Sequence, residues 1–211
     1  MSERKSEILA VARDLLLEHG LAGVSMRKVA GKVGVSATAI YRHYGDKDEL
    51  IADVVEEGHR IFSTYLLRSL SEPSPRERLL AAGANYLRFA LEHETYYRLI
   101  FMSRDVLGAQ KELKKRYPGH SPTFQFLLDR VAECQRAGLG GARRDPLQVA
   151  IFLWAVCHGL AALCLTGGLA AFDRKDFWKY AEGSVAQAVD GLLSRKARSP
   201  SRKPRKRPRS R

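Results

Sequence analysis

Residues 25–50 read SMRKVAGKVGVSATAIYRHYGDKDEL. Met26, Val29, Ala30 and Val33 recur at helical spacing, and a second short helix is expected from Ser36 to about Arg42. Gly34 stands between them, where a tight turn needs the left-handed backbone that a side chain resists. Ala30 is small enough to let two helices touch, and the branched Ile40 is placed to pin the second helix on the first. Ser25 and Ser36 fall at the two N-cap positions. Together these features describe a helix-turn-helix, a rigid unit that offers its second helix to the DNA major groove. The charge pattern agrees. No Asp or Glu occurs from His19 to Gly45, whereas Arg27, Lys28, Lys32 and Arg42 do, as suits a surface approaching phosphate.

Helical signals continue in both directions. Upstream, Ile8, Leu9, Ala12, Leu15 and Leu16 repeat with helical period, and Gly20 is expected to end that helix. Downstream, Asp46 and Glu49 form a capping-box pattern opening a long helix towards Ser71, and Ser74, Pro75 and Glu77 open another. A short helix follows from Thr95 to Ser103. Residues 105–120 fit either a short helix or a loop ending at Pro118–Gly119. Ser121–Pro122, Asp145–Pro146 and Asp173 start three more helices, ending near Gly138, in the long apolar run, and near Arg195. No segment alternates with period two as a strand would, so the fold class is all-α, with about nine helices.

The chain has 211 residues, 45% of them hydrophobic, enough for a substantial core. Ten Lys or Arg from Arg195 to Arg211 supply most of the net charge of +13, leaving +3 on the first 194 residues. That proline-broken basic tail is expected to be disordered. Cys134, Cys157 and Cys164 form no paired framework, which suits packed thiols in a reducing compartment. The opening MSERKSEIL has no apolar stretch, and no signal peptide is expected. Val149 to Phe172 is uncharged and long enough to span a bilayer. Its mid-run His158, its Gly167–Gly168 pair and the basic residues at both ends favour instead a helix buried on all sides in a soluble protein, with no membrane partner.

The arrangement resembles the TetR/AcrR family of bacterial transcription regulators, chiefly over residues 7–50. Gly34-Val35-Ser36 matches the family's turn fully, Ser25 replaces its usual Thr, and Val29–Ala30 fill an Ile-Ala pair. Tyr41, His43, Tyr44, Lys47 and Leu50 complete the pattern, with Tyr for the usual Phe. Trp154, His158 and Gly159 in LWAVCHGLAAL look like the Trp-His-Gly motif of one C-terminal class, and YYRLIFMSRDV (96–106) resembles a segment often found upstream of it.

The resemblance implies a helix-turn-helix DNA-binding domain over residues 1–50, a helical ligand-binding and dimerisation domain over 51–194, and the tail over 195–211. It implies a cytoplasmic, sequence-specific regulator, usually a repressor, that binds a palindromic double-stranded operator as a homodimer and answers a small molecule. Ser25, Tyr41, His43 and Lys47 then sit at phosphate-contacting positions, which set register without reading sequence. The recognition helix opens Ser36-Ala37-Thr38-Ala39 and ends at Arg42. It lacks a bidentate donor at its start, so Thr38 and the alanines can read a base edge or a thymine methyl, while Arg27 or Lys28 supplies any strong guanine contact. A plain helical interaction module is the alternative for this region.

In the larger half, Phe62, Tyr65, Tyr86, Phe89, Phe101, Met102, Phe126, Trp154 and His158 are candidates for lining an apolar pocket, or else are core. Ala155, Gly159, Ala162 and Thr166 form a stripe of small residues, and Trp178, Val185, Val189 and Leu192 form an apolar one; two such helices from each of two chains make a four-helix interface. There is no HExxH, GxSxG, P-loop or zinc-ligand spacing, so neither catalysis, a metal nor a cofactor is expected. The rival function is a nonspecific nucleic-acid-binding architectural protein driven by the tail, which salt dependence separates from a sequence-specific binder.

Overall fold

A computed structural model describes residues 3–103, 106–139 and 144–193, so the basic tail lies outside the described residues. Among them are ten α-helices and no strand. Helix α1 (Glu3–Gly23) is broken at Gly20, whose φ of 66° lies in the left-handed region, as the sequence led us to expect. Helix α2 (Met26–Val33) and α3 (Ala37–Tyr41) are joined by Gly34, with φ 77° and ψ 29°. The Val35 N–H reaches back to the Ala30 carbonyl at 3.0 Å and closes the turn. Ile8, Leu16, Val29, Ile40 and Tyr44 are almost wholly buried and weld the three helices together.

Helix α4 (Lys47–Leu67) runs out of this unit into the rest of the chain and ends in a 3-10 turn, Arg68–Ser71. Its start departs from a reciprocal capping box. The Asp46 carboxylate accepts from the Glu49 N–H at 2.8 Å, but Glu49 accepts from Gly45 instead of Asp46. Helix α5 (Pro75–Glu92) does begin with the full box, Ser74 with Glu77. The segment expected as one short helix is a turn of α6 (Glu94–Tyr97) that widens into a π-helical turn, Arg98–Met102. The undecided stretch forms α7 (Leu107–Arg116), which lies along α4. Helices α8 (Pro122–Arg136), α9 (Pro146–Leu165) and α10 (Arg174–Leu193) complete the bundle around α5.

Two packing features have consequences. A Cβ at Gly58 of α4 would come within 2.7 Å of the Tyr96 ring and 2.9 Å of Ile100. Gly58→Ala is therefore expected to destabilise the fold by about 1–2 kcal/mol, overpacking outweighing the helix preference for alanine. Urea denaturation measures this, and an unchanged or more stable variant would refute it.

The second feature corrects an expectation. Helix α9 is long and apolar enough to span a membrane by length and composition, but it is not buried on all sides. Val149, Ala150, Leu153, Cys157 and Ala161 face the core, whereas Ile151, Phe152, Ala155 and Leu163 are exposed. The surrounding helices cover only one side of it.

Candidate functional site

Two regions combine chemistry with accessibility. The first is the outer surface of α2 and α3. The Ser25 and Ser36 side chains accept from Lys28 and Ala39 N–H groups, each at 3.2 Å, and so fix where both helices begin. Ile40 and Tyr44 face inward, which leaves Arg27, Lys28, Thr38, Tyr41 and Arg42 exposed. No ion pair among the described residues engages Arg27, Lys28 or Arg42, so their charge is available to an anion. Lys32 is also exposed, with Glu18 at 3.9 Å. Ser25, Ala37, Ala39 and His43 are partly covered. Lys47 differs from a free phosphate donor. Its ammonium bonds the Leu21 carbonyl at 3.0 Å and ties the end of α1 to the start of α4, with two further N–H bonds to give.

This surface is anchored to the rest of the chain through a buried carboxylate on α4. Asp53 accepts from the Tyr44 hydroxyl at 3.1 Å, and it pairs with Lys5 of α1 at 3.1 Å and Arg116 of α7 at 2.6 Å. Burial pulls its pKa up, but the hydrogen bonds from Arg116 and Lys5 outweigh that and hold it below the ordinary carboxylate range. Burial, with the Asp53 charge second, raises the Tyr44 pKa, so its hydroxyl stays a donor. Glu56 takes a second bond from Arg116 and one from the Tyr117 hydroxyl. Nothing in local sequence pattern identified Asp53, because its charged partners, Lys5 and Arg116, lie far from it along the chain.

The second region is a partly open cavity of about 470 Å³ lined by α4, α5, α8, α9 and α10. Of the nine pocket candidates, Phe62, Tyr86, Phe101, Phe126 and Trp154 line it. The other four do not. Phe89 is fully buried behind Phe62, stacked on it at 4.7 Å. Tyr65 turns its hydroxyl to Glu92 and His93 at the far end of α4. Met102 ends the π turn and packs on the core outside the cavity wall. His158 lies behind Tyr86, where its Nδ1 and the Tyr97 hydroxyl share a hydrogen bond at 2.7 Å.

A chain of donors runs from the wall inward. The Trp154 indole N–H meets the Tyr86 hydroxyl at 3.3 Å, Tyr86 meets Tyr97 at 3.4 Å, and Tyr97 meets His158. Burial pushes Tyr97 up to about 12, raises Tyr86 further and lowers His158, so the hydroxyls keep their protons and the imidazole stays neutral at physiological pH. Burial likewise pushes the wall thiol of Cys157 up to about 12, which makes it a packed, unreactive group.

The small stripe on α9 and the apolar stripe on α10 part company. Ala155 and Thr166 are exposed, Gly159 and Ala162 partly so, and a Cβ at Gly159 would have open space around it. Val185 and Val189 instead point into the chain and line the cavity roof. Trp178 is partly covered beneath Arg88, and Leu192 packs against the core. Val185 takes the space over Gly83 of α5, so this stripe serves the chain's own core and not an outer surface. The side of α10 left outward carries Tyr180, Gly183 and Gln187.

Comparison with known proteins follows the same division. Residues 8–54 match the family model described as bacterial regulatory proteins, tetR family, and residues 79–183 match that described as tetracyclin repressor-like, C-terminal domain. The chain is 33% identical over 82 residues to the HTH-type transcriptional repressor AcnR of Corynebacterium jeikeium (strain K411), 39% of each chain. It is 25% identical over 99 residues to an HTH-type transcriptional regulator of Staphylococcus aureus (strain MRSA252), covering 46% of this chain and 54% of that one. It thus spans about half the length, or less, of these relatives. A solved structure of a protein of unknown function from Rhodococcus sp. RHA1 superposes with a TM-score of 0.75 at 24% identity, over 92% of this chain and 97% of that one, which establishes a shared fold.

Proposed function

Because this chain belongs to the TetR family of bacterial regulatory proteins, we propose that it is a ligand-responsive homodimeric repressor that binds a palindromic operator. The observation that carries this is the exposed set Arg27, Lys28 and Arg42, without an ion-pair partner among the described residues, around a recognition helix held rigidly by Ile40 and Tyr44. Residues 1–50 form the DNA-binding domain and 51–194 the ligand and dimer domain, with α4 common to both. The protein works where its DNA is, in the cytoplasm. The open face of α9, with Ala155, Gly159, Ala162 and Thr166 at its centre and Phe152 and Leu163 beside them, pairs with its copy, and the outward side of α10 completes the interface.

In this mechanism a molecule in the cavity acts only by favouring one of two arrangements. The cavity wall includes Gly119, His120 and Ser121, directly after α7. A shift of that segment moves Arg116, and through Asp53 it moves Tyr44 and the spacing of the paired recognition helices.

The direct test is selection of bound DNA from a random pool at near-physiological salt. The expected result is an inverted repeat with half-site centres about 34–36 Å apart or a multiple of that. A pool with no enriched sequence, bound with a steep salt dependence, would support the tail-driven architectural alternative instead. A second test divides roles. Arg27→Ala is expected to relax sequence preference, whereas Lys47→Ala, which also loses the Leu21 bond, is expected to weaken all sequences alike. Equal losses on operator and random DNA for both variants would sink this division.

A further inference from the structure

Among the described residues, the cavity wall carries no Lys, Arg, Asp or Glu. The polar side chains among its lining residues are few: Trp154, Tyr86 and Cys157, with Ser121, Thr123 and His120. Thr123 and Ser121 already bond each other at 3.2 Å, and Thr123 meets His59 at 3.3 Å. The indole can only donate, and its bond to Tyr86 is long at 3.3 Å, as is the next bond from Tyr86 to Tyr97 at 3.4 Å. A guest oxygen could take up either donor at little cost to the network. Arg130, whose guanidinium lies over the Phe126 ring, pairs with Glu133, a carboxylate it shares with Arg78, and it is not among the residues that line the cavity. A charged group seated against this lining would lose its water and meet no counter-charge there. The volume, about 470 Å³, falls in the range that holds a drug-sized molecule.

We propose that this cavity selects an uncharged, predominantly apolar molecule bearing one hydrogen-bond-accepting oxygen, which Trp154 and Tyr86 hold by donation. The proposal rests on the cavity being the effector site and adds the chemical class of the effector. It also gives a physical role to the Trp-His-Gly sequence of α9: Trp154 is the donor at the wall, His158 anchors Tyr97 behind Tyr86, and Gly159 keeps the opposite face open.

The full chain is titrated with N-phenyl-1-naphthylamine, an uncharged dye that brightens in apolar surroundings. The dye is then displaced with decan-1-ol, decanoate or decylammonium, which share one chain length and differ in charge. Decan-1-ol is expected to displace the dye at a concentration at least about tenfold below either ion. With displacement scaled to each protein's own dye affinity, Tyr86→Phe with Trp154→Phe is expected to need several times more decan-1-ol than the parent. If that double variant does not fold, the parent's ranking of the three competitors decides alone. Decanoate equal to or better than decan-1-ol overturns the proposal; it would place a head group in the adjoining polar recess near Arg60 and Lys114. Failure of the dye to bind also overturns it. Operator release is read separately. If decan-1-ol binds as expected and frees the DNA, both the class and the effector role are supported. If it binds and the DNA stays bound, the class stands and the effector role fails.

Discussion

In the proposed assembly through the open face of α9, replacing Gly159 with glutamate is expected to leave the chain monomeric and to weaken operator binding at least about a hundredfold. Gly159 sits at the centre of the open face of α9, and a side chain there meets nothing within 4 Å of its first carbon. The single chain can therefore accept the larger residue, and exchanging glycine for a better helix former adds roughly 0.5–1 kcal/mol to the helix. Two copies brought face to face would each bury an unpaired carboxylate against the other, at a cost of several kcal/mol. DNA binding suffers because two recognition helices joined in one molecule gain about 10²–10⁴ over either alone, and the variant forfeits that gain. Sedimentation velocity reads the assembly state and a gel-shift titration the affinity. A variant that remains dimeric would overturn the assignment of this face, and a monomer with undiminished operator affinity would overturn the need for two half-sites.

The same glycine shows what the sequence could and could not convey. The helix-turn-helix was legible because its determinants are local. Ser25, Gly34 and Ser36 act on backbone groups within five residues, and Ile40 and Tyr44 pack on helices close by in the chain. The small stripe on α9 was legible as a face for the same reason. The apolar stripe of α10 was misleading, since periodicity reveals that a face is covered but not by what. Gly83, about a hundred residues upstream of Val185, decides that the cover is α5. Pocket candidates chosen by aromatic character alone divided between wall and core for a similar reason, and Thr123, Phe124, Leu127 and Cys157 on the wall were missed. Which side of an aromatic residue faces a void depends on helices that meet only in three dimensions. Asp53 was invisible for the clearest reason: Arg116 lies 63 residues away, and no motif links them.

Asp53→Asn is expected to lower stability by about 2 kcal/mol at neutral pH and to leave ligand binding intact while weakening ligand-driven release of DNA. The figure is below that for breaking a fully buried ion pair because Lys5 and Arg116 remain about 30% exposed and regain some hydration. The sign with pH follows from the lowered pKa of Asp53. Its contribution is fully present above the unfolded carboxylate value of about 3.9, and it is lost as the pH falls through the lower folded value. The parent and the variant should therefore differ most from pH 5 to 7, and the gap should narrow as the pH falls below the ordinary carboxylate range. Burial lowers the His59 pKa, so acid costs stability there too, but that cost is common to both proteins and cancels in the difference. Urea denaturation at several pH values measures the gap, and a gap that persists unchanged at pH 3 would sink the electrostatic explanation. The functional half concerns position. Asp53 joins α1, the Tyr44 end of the recognition helix and α7 at one point, and α7 leads directly into the cavity wall. Asparagine keeps the shape but removes the charge that makes Arg116 follow Tyr44, so a ligand would still enter while its effect on DNA affinity shrinks. If the variant releases DNA as fully as the parent at saturating ligand, the coupling runs through α4 itself and not through this carboxylate.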